Sequence, residues 1–316
     1  MLSTLFTVLP VFGLILAGWA ARRFGALGPT ALREINRFVV YLALPVLMFD
    51  VIAGAGLEEI WQPGFILAYS TGCFVVFFIT LFIRVWQKVK LADAAVDGLS
   101  SSYSNTAYMG FPLMLAVYGQ PGLMPAVIAS VITITVIFCI GLIIIESALQ
   151  TEGSPLKIAR VTTVKLFTNP LFIAPALGTV FLLAGISVPA PAQSFIDLLG
   201  AAASPCALVA IGLFFADAGA KEGAAPVRII DITWLTGLKL FAQPLITWVV
   251  AGPILNLPPF LLHSAVFIAA MPTGTGPFML AEFYERNARI PGQVVLISTV
   301  VSVVTLTLYL RLFMGA

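Results

Sequence analysis

Ser104-Asn105-Thr106-Ala107-Tyr108-Met109-Gly110-Phe111-Pro112 lies inside an apolar segment long enough to cross a membrane. It holds an amide, a glycine and a proline, which a lipid-facing helix does not want together. Pro112 has no N–H, and its ring clashes with the carbonyl four residues back, that of Tyr108. That carbonyl and its neighbours are then free to bind something else. Interrupted backbone at membrane depth survives only where protein or a wet cavity covers it. The stretch reads as the floor of a translocation site, with the helix broken around Pro112.

The composition agrees. The chain of 316 residues is 60% hydrophobic and 9% charged, against about 45–50% apolar and about 25% charged for soluble domains. No hydrophilic run is long enough to fold separately, so one membrane-embedded unit accounts for the length. The net charge of +2 gives no sign of a nucleic-acid partner. Residues 1–19 carry no basic n-region, so they read as a first span rather than a cleaved signal. Cys73, Cys139 and Cys206 fall in apolar runs and read as packing residues, with neither metal spacing nor a disulfide framework. There is no phosphate-binding loop, no paired mid-membrane Asp and no Ser–His pair near one depth, so no enzyme and no cofactor is expected.

Ten spans are expected, at 4–20, 35–57, 63–83, 94–118, 123–147, 162–186, 193–216, 231–255, 260–285 and 291–314. Each is near the ~20 residues that a bilayer requires. Charge sets their direction. Arg22, Arg23, Arg33 and Arg37 follow span 1, and Arg84, Lys88 and Lys90 follow span 3. Lys157, Arg160 and Lys165 follow span 5, Lys221 and Arg228 follow span 7, and Arg286 and Arg289 follow span 9. Fourteen of the sixteen basic residues thus lie on one side, which the positive-inside rule makes cytoplasmic. The expectation is a multi-pass protein of the cell (inner) membrane with both termini extracytoplasmic.

The halves repeat. A shift of 160 residues lays Pro10 on Pro170, Gly18 on Gly178, Pro29 on Pro189, Pro45 on Pro205 and Pro112 on Pro272. Residues 1–156 and 157–316 each hold five spans. An odd number turns the second copy over, which gives an inverted repeat, the architecture of many secondary transporters. The repeat supplies a partner for the opening stretch in span 9, Met271-Pro272-Thr273-Gly274-Thr275-Gly276-Pro277-Phe278. Two prolines and two glycines within six residues do not make a regular helix. Broken spans 4 and 9 would cross near mid-membrane, with half-helix N-termini turning N–H groups and partial positive charge toward the crossing. Such a site suits a carboxylate, with Asn105, Thr106, Thr273 and Thr275 as neutral polar contacts. Pro45 and Pro205 shape spans 2 and 7 or line the cavity.

These residues resemble a known family. Ile35-Asn36-Arg37-Phe38-Val39, then Pro45 and Phe49, look like the second span of the auxin efflux carrier family, which includes plant PIN-type exporters and bacterial malonate-transporter-like permeases. Asn105-Thr106, Met109-Gly110, Pro112-Leu113 and Tyr118-Gly119 match its fourth-span signature. Met271-Pro272, Gly274, Pro277-Phe278, Ala281 and Tyr284 match its ninth. The resemblance implies an all-α fold of ten transmembrane helices in two inverted five-helix repeats, with broken helices 4 and 9 crossing. Spans 1, 2, 6 and 7 would form a scaffold and homodimer contact. Spans 3–5 and 8–10 would form a transport domain moving as an elevator. Asn105 would contact the substrate carboxylate beside the crossing, with Pro112, Pro272 and Pro277 shaping it. Tyr108, Gly110 and Gly274, in the same two stretches, complete the candidate binding residues. The plant carriers have a long hydrophilic insert after span 5, whereas this chain has only Ser147 to Val161 there.

The ionisable residues divide between site and surface. Lys239 stands within span 8 and reads as a substrate attractor or bundle-interior partner, or as a side chain that snorkels to the headgroups. Asp50 reads as a gate, a cation ligand or an interfacial group, and Glu282 as a gate or one half of an ion pair beside Glu285, Arg286 and Arg289. Glu146 and Asp217 mark headgroup level. His263 stands at the outer start of span 9, Tyr103 and Tyr108 flank Asn105, and Trp61, Trp86, Trp234 and Trp248 read as interfacial anchors. The function expected is secondary transport of small organic anions (mono- or dicarboxylates, auxin-like or malonate-like), as efflux. Its rivals are a cation-coupled (Na+ or H+) importer and a non-transporting anion receptor.

Overall fold

A computed structural model describes residues 2–149, 163–164, 167–218 and 228–314. Lys157, Arg160, Lys165 and Lys221 lie outside the described residues, as does the expected boundary at 156–157. The helical segments, in chain order, are α1 (Leu2–Arg23), α2 (Ala31–Ala53), α3 (Pro63–Trp86), α4 (Leu91–Ser102), α5 (Thr106–Tyr118) and α6 (Gln120–Leu149). They continue as α7 (Pro170–Ala184), α8 (Ala190–Asp217), α9 (Ile229–Ile254), α10 (Pro259–Ala269), α11 (Gly276–Phe283) and α12 (Arg289–Met314). Among the described residues, six helices, α2, α6 and α8 among them, are long and apolar enough to cross a membrane. The protein is an all-α, multi-pass membrane protein.

Local chemistry sets the ends. Pro170 opens α7, Asn169 Oδ1 accepts from Leu171 N at 2.9 Å, and Gly185 closes the helix with φ +64°. Three prolines inside the spans follow widened π turns, whereas Pro10 and Pro175 sit in plain α-helix. Val39–Ala43 ends two residues before Pro45, Thr106–Gly110 two before Pro112, and Leu238–Ala242 two before Pro244. A proline cannot donate to the carbonyl four residues back and its ring crowds it, so an extra residue in the preceding turn relieves both problems. This corrects the expected break at Pro112. That proline lies within the continuous helical run α5, and the interruption falls earlier, at Tyr103–Asn105.

Two sets of helix contacts position the site. α1 lies against α8, and α2 against α7 and α8. Gly18 of α1 and Gly212 of α8 sit at one crossing, where a Cβ on Gly18 would strike the Val209 carbonyl and one on Gly212 the Ile15 carbonyl. Without a hydrophobic drive between helices in lipid, such small-residue contacts hold spans together. In the second set α3 packs on α4 and α9, α4 also on α6, and α9 on α10 and α12, while α1 also touches α5 and α12, and α8 touches α5. One guanidinium ties this set together at one end: Arg84 Nε meets Asp97 at 2.6 Å and its Nη1 meets Asp231 at 2.9 Å, from α3, α4 and α9.

Candidate functional site

Four helix ends converge between α4 and α5 and between α10 and α11. Both interruptions are extended and pair as a single antiparallel bridge, Ser104 with Thr273. Asn105 N donates to Pro272 O at 2.8 Å and Gly274 N to Tyr103 O at 3.0 Å. The crossing is thus a two-strand clasp. Gly274 and Gly276 carry no side chain because the Tyr103 ring lies over them, and added Cβ atoms would stand 3.0 and 2.9 Å from it.

The C-terminal carbonyls at the crossing are satisfied from within. Ser101 Oγ and Ser102 Oγ donate to Gly98 O, and Thr273 Oγ1 donates to Ser100 O at 2.7 Å. Lys239 is fully buried, so it does not snorkel, and its Nζ donates to Ala269 O at 2.6 Å. An ammonium at a helix C-terminus opposes the partial negative charge there. Among the described residues no carboxylate forms an ion pair with it.

The N-terminal side is less complete. The Asn105 carbonyl accepts from Met109 N and Gly110 N at 3.1 and 3.0 Å, but its Nδ2, on a residue only 4% exposed, has no partner among the described residues. The neighbouring Thr106 Oγ1 is likewise buried without a partner. Buried polar groups are nearly always bonded, so two adjacent exceptions call for a ligand or water.

The other expected residues fall around this centre. Tyr108 is buried, with its hydroxyl donating to Asn36 Oδ1 at 3.0 Å. Together with Thr275, Tyr108 and Asn36 line a narrow cleft of about 60 Å³. Gly110 has ordinary room around it, with the nearest atom 3.6 Å from an added Cβ. Pro277 stands in the first turn of α11, Pro112 follows the π turn that opens α5, and Pro272 lies in the clasp. Thr273 is fully committed, its N–H going to Ser298 Oγ at 3.0 Å. A larger cavity of about 1130 Å³, at the opposite end of α2 from the cleft, is lined by Asp50, Glu59, Asp197 and Pro205 among others. Pro45 is buried within α2. Gln193 Nε2 bridges Asp50 and Asp197 at 2.7 and 2.8 Å.

Glu282 is exposed, away from the crossing. Arg286 pairs instead with Asp93, at 2.7 and 2.5 Å. Glu146 accepts from the Tyr284 hydroxyl, Asp217 pairs with Arg22 at 2.7 Å, and His263 Nδ1 lies 2.9 Å from the Tyr309 hydroxyl. Sequence reasoning missed Gln243, four residues after Lys239 and so on its face of the helix. Its Nε2 reaches Cys73 Sγ at 3.1 Å and Ser104 Oγ at 3.4 Å, below the clasp. A second polar residue at that spacing in an apolar span was the available signal.

Interrupted apolar helices that meet inside a multi-pass protein, with buried polar groups left over, define a secondary transporter rather than an enzyme. The chain belongs to the family described as "Membrane transport protein", which matches residues 3–310. It is 28% identical over 301 residues to a "Putative malonate transporter" of Rhizobium meliloti, covering 95% of this chain and 92% of that protein. It is 27% identical over 311 residues to the "Uncharacterized transporter YfdV" of Escherichia coli, covering 96% and 95%. It is 24% identical over 341 aligned positions to the "Auxin efflux carrier component 8" of Arabidopsis thaliana, covering 92% and 91%.

Proposed function

We propose that the protein carries small organic anions, exporting mono- or dicarboxylates, with the carboxylate bound at the clasp between α4–α5 and α10–α11. The observation that carries this is the unpartnered Asn105 Nδ2, a buried donor beside Thr106 Oγ1 at the start of α5. A carboxylate supplies the missing acceptor, and the helix N-termini add partial positive charge. Pro272, Gly274 and the Tyr103 ring hold the frame, and Lys239 braces the C-terminal end of α10 through its bond to Ala269 O. Malonate is the first substrate to try, because one relative is named for it.

The motion is of the elevator type. α1, α2, α7 and α8 form the scaffold and the contact of a homodimer, while α3–α6 and α9–α12 travel. Ten spans in two inverted repeats, divided at 156–157, place the clasp on the pseudo-symmetry axis, with both termini extracytoplasmic. The close packing of α1 on α8 and of α2 on α7, and the cavities between these helices and the rest, support this reading.

The test is uptake by purified protein in proteoliposomes, with a panel of mono- and dicarboxylates and with pH and Na+ gradients varied separately. Saturable uptake of a carboxylate that needs no Na+ gradient is expected. Uptake of none of the panel would end the proposal. A cation-coupled reading rests on one observation: Gln243 Oε1 is a buried acceptor without a partner among the described residues. Flux that follows an imposed Na+ gradient would favour it.

A further inference from the structure

We infer that the hydrogen bond from the Tyr108 hydroxyl to Asn36 Oδ1 is a latch across the cleft, and that the substrate carboxylate opens it by taking Asn36's place as acceptor. The inference rests on the anion-carrier reading and adds to it a residue that reading does not use.

The two partners stand on different helices, Asn36 on α2 and Tyr108 on the π turn Thr106–Gly110 of α5, which packs on both α6 and α8. Their 3.0 Å bond spans the cleft, which Phe214 and Phe278 also line. Around this bond the walls are mostly apolar, so few other groups there can compensate its loss. The cleft's 60 Å³ holds about two waters and no dicarboxylate. An anion that reaches Asn105 from this end must therefore part the groups that the bond joins.

The exchange follows from the donor count. A phenolic hydroxyl has one proton and serves one acceptor at a time. Asn36 offers a neutral amide oxygen, whereas a carboxylate makes a charge-assisted bond roughly twice as strong. Tyr108 lies in the π turn Thr106–Gly110, which Asn105 caps. The exchange requires a carboxylate at Asn105 Nδ2 to reach the Tyr108 hydroxyl from the start of that turn. When it captures that proton donor, Asn36 is released and the two helices are free to separate. Opening is thereby tied to loading, and an empty site stays shut on this side.

The experiment reads cleft opening directly. Ala210 is buried in the cleft wall, so Ala210→Cys in the full-length purified protein reports opening through its rate of maleimide labelling, with labelling of the parent chain subtracted. Asn36→Ala and Tyr108→Phe should each raise that rate about three- to tenfold, the worth of one neutral hydrogen bond. The double variant should label no faster than either single one, because both remove the same bond. Acetate, malonate and citrate are then added in turn at saturating concentration. At least one should accelerate labelling of Ala210→Cys itself and leave the Asn36→Ala form unchanged.

Unaltered labelling in Asn36→Ala, or additive effects in the double variant, would overturn the latch. No acceleration by any of the three anions would overturn the exchange. Monodisperse elution of each variant guards against loss of folding as the cause of faster labelling. The carrier reading fails separately, by Asn105→Ala transporting like the unaltered protein while Asn36→Ala still opens the cleft.

Discussion

At the residue scale the two buried cations, Lys239 and Arg84, make opposite predictions. Lys239 has a carbonyl and no carboxylate for company among the described residues. Lys239→Met keeps the aliphatic packing but removes the charge and the bond to Ala269 O. That costs about 1.5–3 kcal/mol at most, since one hydrogen bond to a charged group is lost. Transport should fall while the protein still purifies folded, and a variant that transports at the full rate would remove Lys239 from the site. Arg84 sits between two carboxylates, Asp97 and Asp231. Arg84→Met strands both, and breaking a buried ion pair from one side costs about 3–5 kcal/mol. Thermal unfolding should show a large drop in midpoint, which Asp97→Asn and Asp231→Asn added together should partly restore. These charges could be found in the sequence, but their partners could not. Asp93 and Asp97 lie one turn apart on α4, yet one meets Arg286 and the other Arg84, and only the packing of α3 and α11 on α4 decides which.

At the element scale the two interruptions differed in how visible they were. The one in span 9 was plain, because Pro272, Gly274, Gly276 and Pro277 cannot share a helix. The one in span 4 was misplaced. Pro112 drew attention, but the π turn before it absorbs its missing donor. Tyr103–Asn105 contains neither proline nor glycine, and its extended form comes from pairing with residues 272–274, a tertiary cause that local sequence does not carry. The clasp can be tested through its tightest contact. Gly274→Val should push the Tyr103 ring, now 3.0 Å from an added Cβ, at about 1–3 kcal/mol for overpacking. It should abolish transport with a measurable fall in unfolding temperature. Gly110→Ala, where the nearest atom is 3.6 Å away, should be tolerated on both measures.

At the scale of the whole molecule, hydropathy and charge were sufficient for the membrane class. The division into scaffold and transport helices was expected only through resemblance, because which helix faces which is a property of the assembled bundle. If the termini both lie outside, reporter fusions at each end should show the extracytoplasmic signal together, and a split result would undo the ten-span topology. Function hangs on the clasp. It has satisfied carbonyls on one side and, on the other, an amide donor with no partner among the described residues. The direct measurement is initial uptake of a transported carboxylate into proteoliposomes by the unaltered protein and by Asn105→Ala at equal reconstituted amounts. Losing one hydrogen bond to a charged ligand corresponds to about 10- to 150-fold, so the variant should lose at least tenfold of its rate at low substrate while eluting as a single folded species. Equal rates for the two proteins would show that the anion does not bind at the crossed helix ends.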